Sequence, residues 1–248
     1  MAKAVLVDIR KCIACRACQV ACKRWNDREG ESTSLNTTPG LDWTNPPGFS
    51  PQTYTYIRFV GKGKGDDFTW RFVKVQCNHC VEPGCASVCP TKALFKTSEG
   101  PVVYDKEKCI GCKYCVSGCP FSVPRFDEEH KVIEKCTFCA ERLDEGMEPA
   151  CVAACPTDAL VMYERGEAIR LAGSAASTGA YLYGKDEVGG TSWIYVSDVP
   201  LTELGFPRHD SRNPTAYATD MLLKVGALGI IGAGLLYVLG VYSKRRSK

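Results

Sequence analysis

Sixteen cysteines, gathered in four groups of four, constrain this chain more than any apolar pattern in it. The groups are Cys12, Cys15, Cys18, Cys22; Cys77, Cys80, Cys85, Cys89; Cys109, Cys112, Cys115, Cys119; and Cys136, Cys139, Cys151, Cys155. The first and third read CxxCxxCxxxC, a run in which three thiolates on one tight loop can hold three corners of an inorganic cubane while the fourth points elsewhere. A zinc ribbon uses two CxxC pairs for one tetrahedral ion and leaves the third cysteine of such a run without a task. Cysteines three positions apart pair poorly as disulfides, and a chain of 248 residues needs no such stapling. The spacing points to 4Fe-4S clusters and to a chain that carries electrons.

Internal repeats set the cluster count at four. Asp8 to Cys22 reads DIRKCIACRACQVAC and Asp105 to Cys119 reads DKEKCIGCKYCVSGC, so the first and third groups copy one element. The second and fourth open with CxxC and close with CxxxCP, Cys89 running into Pro90, Thr91, Lys92, Ala93, Leu94 and Cys155 into Pro156, Thr157, Asp158, Ala159, Leu160. In a two-cluster ferredoxin the first three cysteines of a run hold one cluster and the fourth ligates its companion. By that rule the inner groups close on themselves, with Cys77, Cys80, Cys85 and Cys119 on one cluster and Cys109, Cys112, Cys115 and Cys89 on the next. The outer groups then meet across them. One cluster takes Cys12, Cys15, Cys18 and Cys155, and another Cys136, Cys139, Cys151 and Cys22.

The expected fold class is α+β, with two nested ferredoxin-like two-cluster units related by internal repeat and one C-terminal transmembrane helix. The outer unit comprises 1–30 and 128–165, and the inner unit 77–127. Helices are expected to be short and to follow the last cysteine of each group, as in Gln19 to Trp25 and Val116 to Gly118. Metal–thiolate bonds replace much of the apolar packing, so the apo chain is expected to be poorly folded. Four sites of about −2 each add about −8 to the formal charge of +3. Lys3, Arg10, Lys11, Arg16, Lys23, Arg24, Lys106, Lys108 and Lys113 are the candidates for offsetting that charge, against an ordinary solvated basic face.

Between the outer and inner units lies an insertion, 31–76. Its proline- and glycine-rich part, Ser32 to Gln52, suits a surface loop. Tyr54 to Val60 and Phe68 to Val75 are β-branched and aromatic runs separated by GKGKGDD, which predicts a β-hairpin. Residues 166–218 form a connector and partner-contact arm, with a surface helix over Glu164 to Ala176, a strand over Trp193 to Val196 and an extended stretch from Pro200 to Pro214. Val225 to Tyr242 contains no charge and is long enough to cross a bilayer, within a span of 219–243. The basic tail 244–248 is expected on the cytoplasmic side, which puts the cluster domain outside. Met1 to Cys12 lacks an apolar signal region, so the folded domain is expected to be exported with a partner's signal.

CIACRACQVACKRWND at Cys12 to Asp27, CNHCVEPGC at Cys77 to Cys85, CIGCKYCVSGCPFSVPR at Cys109 to Arg125, KCTFCAERLDEGMEPACVAACPT at Lys135 to Thr157 and VGGTSWIYV at Val188 to Val196 resemble the beta subunit of membrane-bound respiratory formate dehydrogenase, within the molybdopterin oxidoreductase superfamily. The resemblance covers essentially the whole chain. It implies a complex in which an alpha subunit with a molybdenum or tungsten bis-pterin centre oxidises formate, the beta subunit relays electrons through four 4Fe-4S clusters, and a cytochrome b gamma subunit passes them to quinone. It also implies the same sharing of clusters between outer groups and between inner groups. The cysteine spacing alone is common to the iron-sulfur subunits of other membrane oxidoreductases, among them hydrogenase and nitrate, polysulfide or thiosulfate reductase.

Nothing in the chain suggests catalysis of its own. His79, His130 and His209 are isolated, no nucleophile has a base beside it, and GKGKGDD lacks the spacing and terminal Lys-Ser/Thr of a phosphate loop. No nucleic-acid partner is implied. A binding module with purely structural metal is the remaining alternative, separable by iron and sulfide analysis.

Overall fold

The computed structural model describes residues 2–34, 43–63, 65–212, 214–215 and 218–219. Ten strands and six short helices are built among them. In chain order they are β1 (Lys3–Asp8), α1 (Ala17–Trp25), β2 (Thr55–Lys62), β3 (Thr69–Gln76), α2 (Gly84–Ser87), β4 (Leu94–Lys96), β5 (Val102–Tyr104), α3 (Tyr114–Ser117), β6 (Arg125–Asp127), β7 (Val132–Glu134), α4 (Ala140–Asp144), α5 (Ala150–Ala153), β8 (Leu160–Glu164), α6 (Arg165–Ala176), β9 (Tyr181–Tyr183) and β10 (Trp193–Ser197). The mixed content agrees with the α+β expectation. The apolar run Val225 to Tyr242 and the basic tail lie outside the described residues, among which no helix is long and apolar enough to cross a membrane.

The main sheet has the order β8-β1-β10-β9. Side chains alternate between its faces. Val5, Val7, Trp193 and Tyr195 pack into the larger core, while Ala4, Ile194 and Val196 face α6. The α6 contact is made by Ala168 and Ala172, both fully buried, four residues apart and small enough to let the helix lie close to the sheet. All five residues of β10 are buried. The segment 166–218 thus supplies an internal strand, parallel to the N-terminal β1 with Val5 opposite Trp193. Leu201 and Leu204 turn a short 3-10 segment into the core where an extended path was expected, because apolar residues three apart share a face.

The sequence repeat is a repeat of strand pairing. Cys-Pro-Thr-x-Ala-Leu leads into β8 at Leu160 and into β4 at Leu94. Each strand is antiparallel to the strand that leads into the preceding or following CxxCxxC run, β1 ending on Asp8 and β5 just before Asp105. Leu160 sits opposite Val7, and Leu94 opposite Tyr104, in matching register. The N–H of Asp8 donates to Ala159 O at 2.9 Å, and the N–H of Asp105 to Ala93 O at 2.9 Å. Helices follow the same scheme, α1 packing on α5 and α2 on α3, and each begins before the last cysteine of its group, not after it as expected, so that the turn carries ligand-type cysteines itself.

The insertion hairpin forms as expected, β2 and β3 pairing from Thr55 opposite Gln76 to Lys62 opposite Thr69. Its inner end buries Ile57 and Val73 in the core; its outer end carries Phe59, Phe68, Trp70 and Phe72 in edge-on and stacked contacts.

Candidate iron-sulfur sites

None of the sixteen cysteines is paired in a disulfide. The loops that present them use backbone that side chains rarely adopt. Repeat-related positions are left-handed together: Ala14 (φ 56°) with Gly111 (φ 69°), Arg16 (φ 60°) with Lys113 (φ 61°), His79 (φ 47°) with Phe138 (φ 62°), and Lys92 (φ 55°) with Asp158 (φ 50°). Apart from Gly111, each such residue is disfavoured in isolation, so something outside the local chain must hold the turns. Turning N–H groups and thiols toward a common centre is what these kinks achieve.

Three small cavities are lined by complete quartets. Cys12, Cys15, Cys18 and Cys155 surround one of about 30 Å³. Cys22, Cys136, Cys139 and Cys151 line one of about 10 Å³. Cys89, Cys109, Cys112 and Cys115 line another of about 10 Å³. In the fourth set, burial first, then the charges of Cys77, Cys119 and Cys85, push the Cys80 thiol well above its ordinary pKa. Larger hollows of about 300 and 350 Å³ are open grooves without a cysteine, so size does not mark the sites. Among the described residues no three His, Cys, Asp or Glu side chains are close enough to hold a single ion.

Adjacent quartets touch electrostatically in one order. Cys151 of the second set bears on Cys18 of the first. Cys77 of the Cys77, Cys80, Cys85, Cys119 set bears on Cys136, and Cys115 of the last set on Cys85. Of the sixteen, Cys15 and Cys112 are the exposed ones, and they belong to the two terminal sets. Ile13 stands beside the one, and Ile110 and Tyr114 flank the other, at 60%, 67% and 61% exposure.

Burial pushes the Cys18, Cys22 and Cys85 thiols up to about 12, and Cys115, Cys119 and Cys139 to about 11. A neutral thiol suits a dry pocket; a thiolate needs a compensating charge there, which metal supplies. Cys89 goes the other way. Burial is outweighed by N–H groups of Leu94, Ala93 and Thr91 and by the Thr91 hydroxyl, which together lower its pKa. That is the physical content of Cys-Pro-Thr-x-Ala-Leu, and Thr157 Oγ1 stands near Cys155 Sγ at 3.9 Å in the copy.

The expected surface cations are mostly engaged elsewhere. Lys3 pairs with Glu164, Arg10 with Asp8, Lys23 with Glu31, Lys106 with Glu134, Lys108 with Asp105 and Lys113 with Glu128. Of the expected cations, Arg16 lines the first cavity and Lys113 that of Cys89, Cys109, Cys112 and Cys115; three lysines outside that expectation also face the cysteines. Lys135, 1% exposed, bonds to Cys136 O at 3.0 Å and to Val102 O. Lys96 bonds to Cys80 O at 2.9 Å and Gly100 O at 2.7 Å. Lys74 is 2% exposed and lines both the first and second cavities. Burial opposes its charge, but the Cys151, Cys18, Cys136 and Cys22 thiolates together raise its pKa. The available signal was a lysine inside an apolar strand, Phe72-Val73-Lys74-Val75, three residues before a ligand-type cysteine.

The donor set fits a sulfide-bearing group. Trp193 Nε1 is buried, has no hydrogen-bond partner and belongs to a ring lining the second cavity. His79 accepts the Val102 N–H at Nδ1 at 2.9 Å, which leaves the proton of the neutral ring on a buried, unpartnered Nε2 beside Cys80. Burial, then Lys135, Lys96 and Lys74, hold its pKa well below 6.5. Indole and imidazole N–H groups are donors that inorganic sulfide can accept.

Two family models, each described as a 4Fe-4S dicluster domain, match residues 11–93 and 68–165. The chain is 36% identical over 248 residues to the iron-sulfur subunit of nitrate-inducible formate dehydrogenase from Escherichia coli strain K12, covering 94% of this chain and 83% of that protein. The chain belongs to the formate dehydrogenase iron-sulfur subunit family. The formate dehydrogenase-O iron-sulfur subunit of the same strain is 34% identical over 258 residues, covering 98% of this chain and 84% of that protein. The Hydrogenase-2 operon protein HybA of Escherichia coli O157:H7 is 33% identical over 255 residues, covering 88% and 76% respectively. As a member of the iron-sulfur subunit family the chain binds four 4Fe-4S clusters, transfers electrons and works in a complex whose catalytic subunit is another chain.

Proposed function

We propose that this subunit carries electrons from a molybdenum- or tungsten-pterin subunit that oxidises formate to a membrane cytochrome b and quinone. Cys12, Cys15, Cys18 and Cys155 hold cluster 1; Cys136, Cys139, Cys151 and Cys22 hold cluster 2; Cys77, Cys80, Cys85 and Cys119 hold cluster 3; Cys109, Cys112, Cys115 and Cys89 hold cluster 4. Bound there, each cluster supplies one-electron exchange without a proton or an open coordination site. The observation that carries this reading is the gathering of cysteine quartets around separate cavities, with Cys15 and Cys112 of two different quartets exposed at the surface. The residues do the rest: buried lysines neutralise, N–H groups donate to sulfur, and apolar Ile13 and Ile110 give each end a dry surface for a partner. The unit boundaries, 1–30 with 128–165 around 77–127, follow from this assignment.

A span over 219–243 would anchor the subunit, with 244–248 cytoplasmic and the cluster domain periplasmic. Its support is the uncharged run Val225 to Tyr242 followed by Lys244, Arg245, Arg246 and Lys248. Protease added to sealed spheroplasts tests this: digestion of 1–218 is expected, and full protection overturns the placement. For the function, purification from native membranes is expected to bring down a large pterin subunit active on formate. Likeness to a hydrogenase operon protein favours, as second reading, service to a hydrogenase or another oxidoreductase; a nickel-containing large partner would establish it.

A further inference from the structure

We propose that Lys74 is a shared potential-setting residue, one buried cation that raises the reduction potentials of clusters 1 and 2 together. This rests on the ligand assignment above. The ammonium is almost fully buried, and among the described residues no carboxylate pairs with it. Its hydrogen bonds go to neutral groups, Thr55 Oγ1 at 2.9 Å and Gln76 Oε1 at 2.9 Å, and it lies 4.5 Å from the centre of the Trp193 ring. An isolated buried ammonium is costly unless negative charge stands close by. The side chain lines the cavity of Cys12, Cys15, Cys18 and Cys155 and that of Cys22, Cys136, Cys139 and Cys151, so the charge it answers is that of both quartets.

The position is also held rigidly. Lys74 sits opposite Ile57 in the hairpin, and its carbonyl accepts from the Tyr195 hydroxyl at 3.3 Å, while that hydroxyl accepts from Gln76 Nε2. Thr55, Gln76, Tyr195 and Trp193 thus fix one cation between two acceptors of electrons. Because reduction adds negative charge, a fixed cation at low dielectric favours the reduced form of each neighbour. Sharing it between two sites keeps their potentials in step, which suits hopping from one to the next.

The test is potentiometric titration of the assembled complex under anaerobic conditions, followed by electron paramagnetic resonance. Lys74→Met is expected to shift the midpoint potentials of clusters 1 and 2 to more negative values and to leave clusters 3 and 4 in place. Lys74→Gln, which keeps hydrogen-bonding capacity without charge, is expected to give the same shift; Lys74→Arg is expected to retain the wild-type potentials. Lys135→Met, a buried lysine bonded to Cys136 O and facing the Cys85 and Cys119 set, is expected to move cluster 3 and to leave cluster 1 in place. Unmoved potentials, or movement of only one of the pair, would overturn the proposal. Loss of both clusters in the Met and Gln variants with retention in Arg would also overturn it, making Lys74 a folding determinant. Replacing Cys155 and Cys22 separately identifies the two signals, so failure of the ligand assignment is read apart from failure of the lysine's role.

Discussion

Arg28 Nη2 lies 3.1 Å from Glu134 Oε2, an ion pair across 106 residues that ties the segment after the first cysteine group to the strand before the fourth. Glu134 is 1% exposed and also takes Lys106 Nζ at 2.8 Å and the hydroxyls of Tyr54 and Tyr104. Burial disfavours the carboxylate, yet the Lys106, Tyr104 and Tyr54 donors lower its pKa.

Removing that charge should strand two cations. Glu134→Gln is expected to destabilise the holoprotein by about 3 kcal/mol, the lower end for a broken buried pair because Lys106 can turn to solvent. Tyr54→Phe should cost about 1 kcal/mol, one hydrogen bond. Denaturant titration of the cluster absorbance in both variants measures this. A wild-type midpoint for Glu134→Gln would show the pair to be dispensable.

The β6–β7 turn should respond to pH. Asp127 Oδ1 accepts the N–H groups of Glu129 and His130 at 2.9 and 3.2 Å, and its Oδ2 stands 2.8 Å from His130 Nδ1. Burial raises the Asp127 pKa but the His130 ring and these N–H groups outweigh it, so the carboxyl lies below 3.8. Hydrogen bonding to Asp127 and its charge lift His130 above 6.5. The depressed acid contributes stability above 3.8, lost as pH falls through its folded value; the raised base contributes fully below 6.5, lost as pH rises through its own. Hydrogen exchange in 125–134, corrected for the intrinsic rate, should therefore be slowest between about 4 and 6.5. His130→Ala should remove the alkaline limb and keep the acid one.

The cysteine loops predict an asymmetry between the two copies. Gly111 is left-handed, and a Cβ there would meet Lys131 O at 3.0 Å and Phe126 Cε2 at 3.1 Å. Ala14 holds the equivalent position with its methyl accommodated, at φ 56°. Gly111→Ala should cost about 1–2 kcal/mol through strain and crowding and reduce occupancy of the cluster bound by Cys109, Cys112, Cys115 and Cys89. Ala14→Gly should leave the first cluster's spectrum unchanged. Iron content and paramagnetic resonance of the two variants compare them directly.

The quartets and their repeat were legible because ligand spacing is local chemistry, and the hairpin and α6 because their apolar periods are local too. The pairing of β1 with β10 was not. Lys3–Asp8 is six residues long and Trp193–Ser197 five, both too short to announce a partner. Their parallel contact spans nearly the whole chain, and only burial of Trp193 and Ile194 on opposite faces makes it necessary. Lys74, Lys96 and Lys135 were hidden for a related reason: a lysine normally marks a wet face, and here the tertiary fold inverts that rule by surrounding it with thiols.

Removing iron should undo the two units unequally. The inner core consists of Cys85, Cys89, Ala93, Leu94, Val102, Cys115 and Ile133, three of its seven buried members being cysteines. The core behind β1 and β10 is larger and includes only Cys18 and Cys151 among its buried residues, and the face under α6 has none. Metal–thiolate bonding supplies folding free energy in proportion to how little else is buried. After anaerobic chelation, amide protection is expected to vanish first across 77–127 and to persist longest in β1, β10 and α6, with loss of a single cooperative thermal transition. Uniform loss would mean that one cooperative core serves both units. Retention of full cooperative unfolding in the iron-free chain would mean that packing alone, without the clusters, holds this fold.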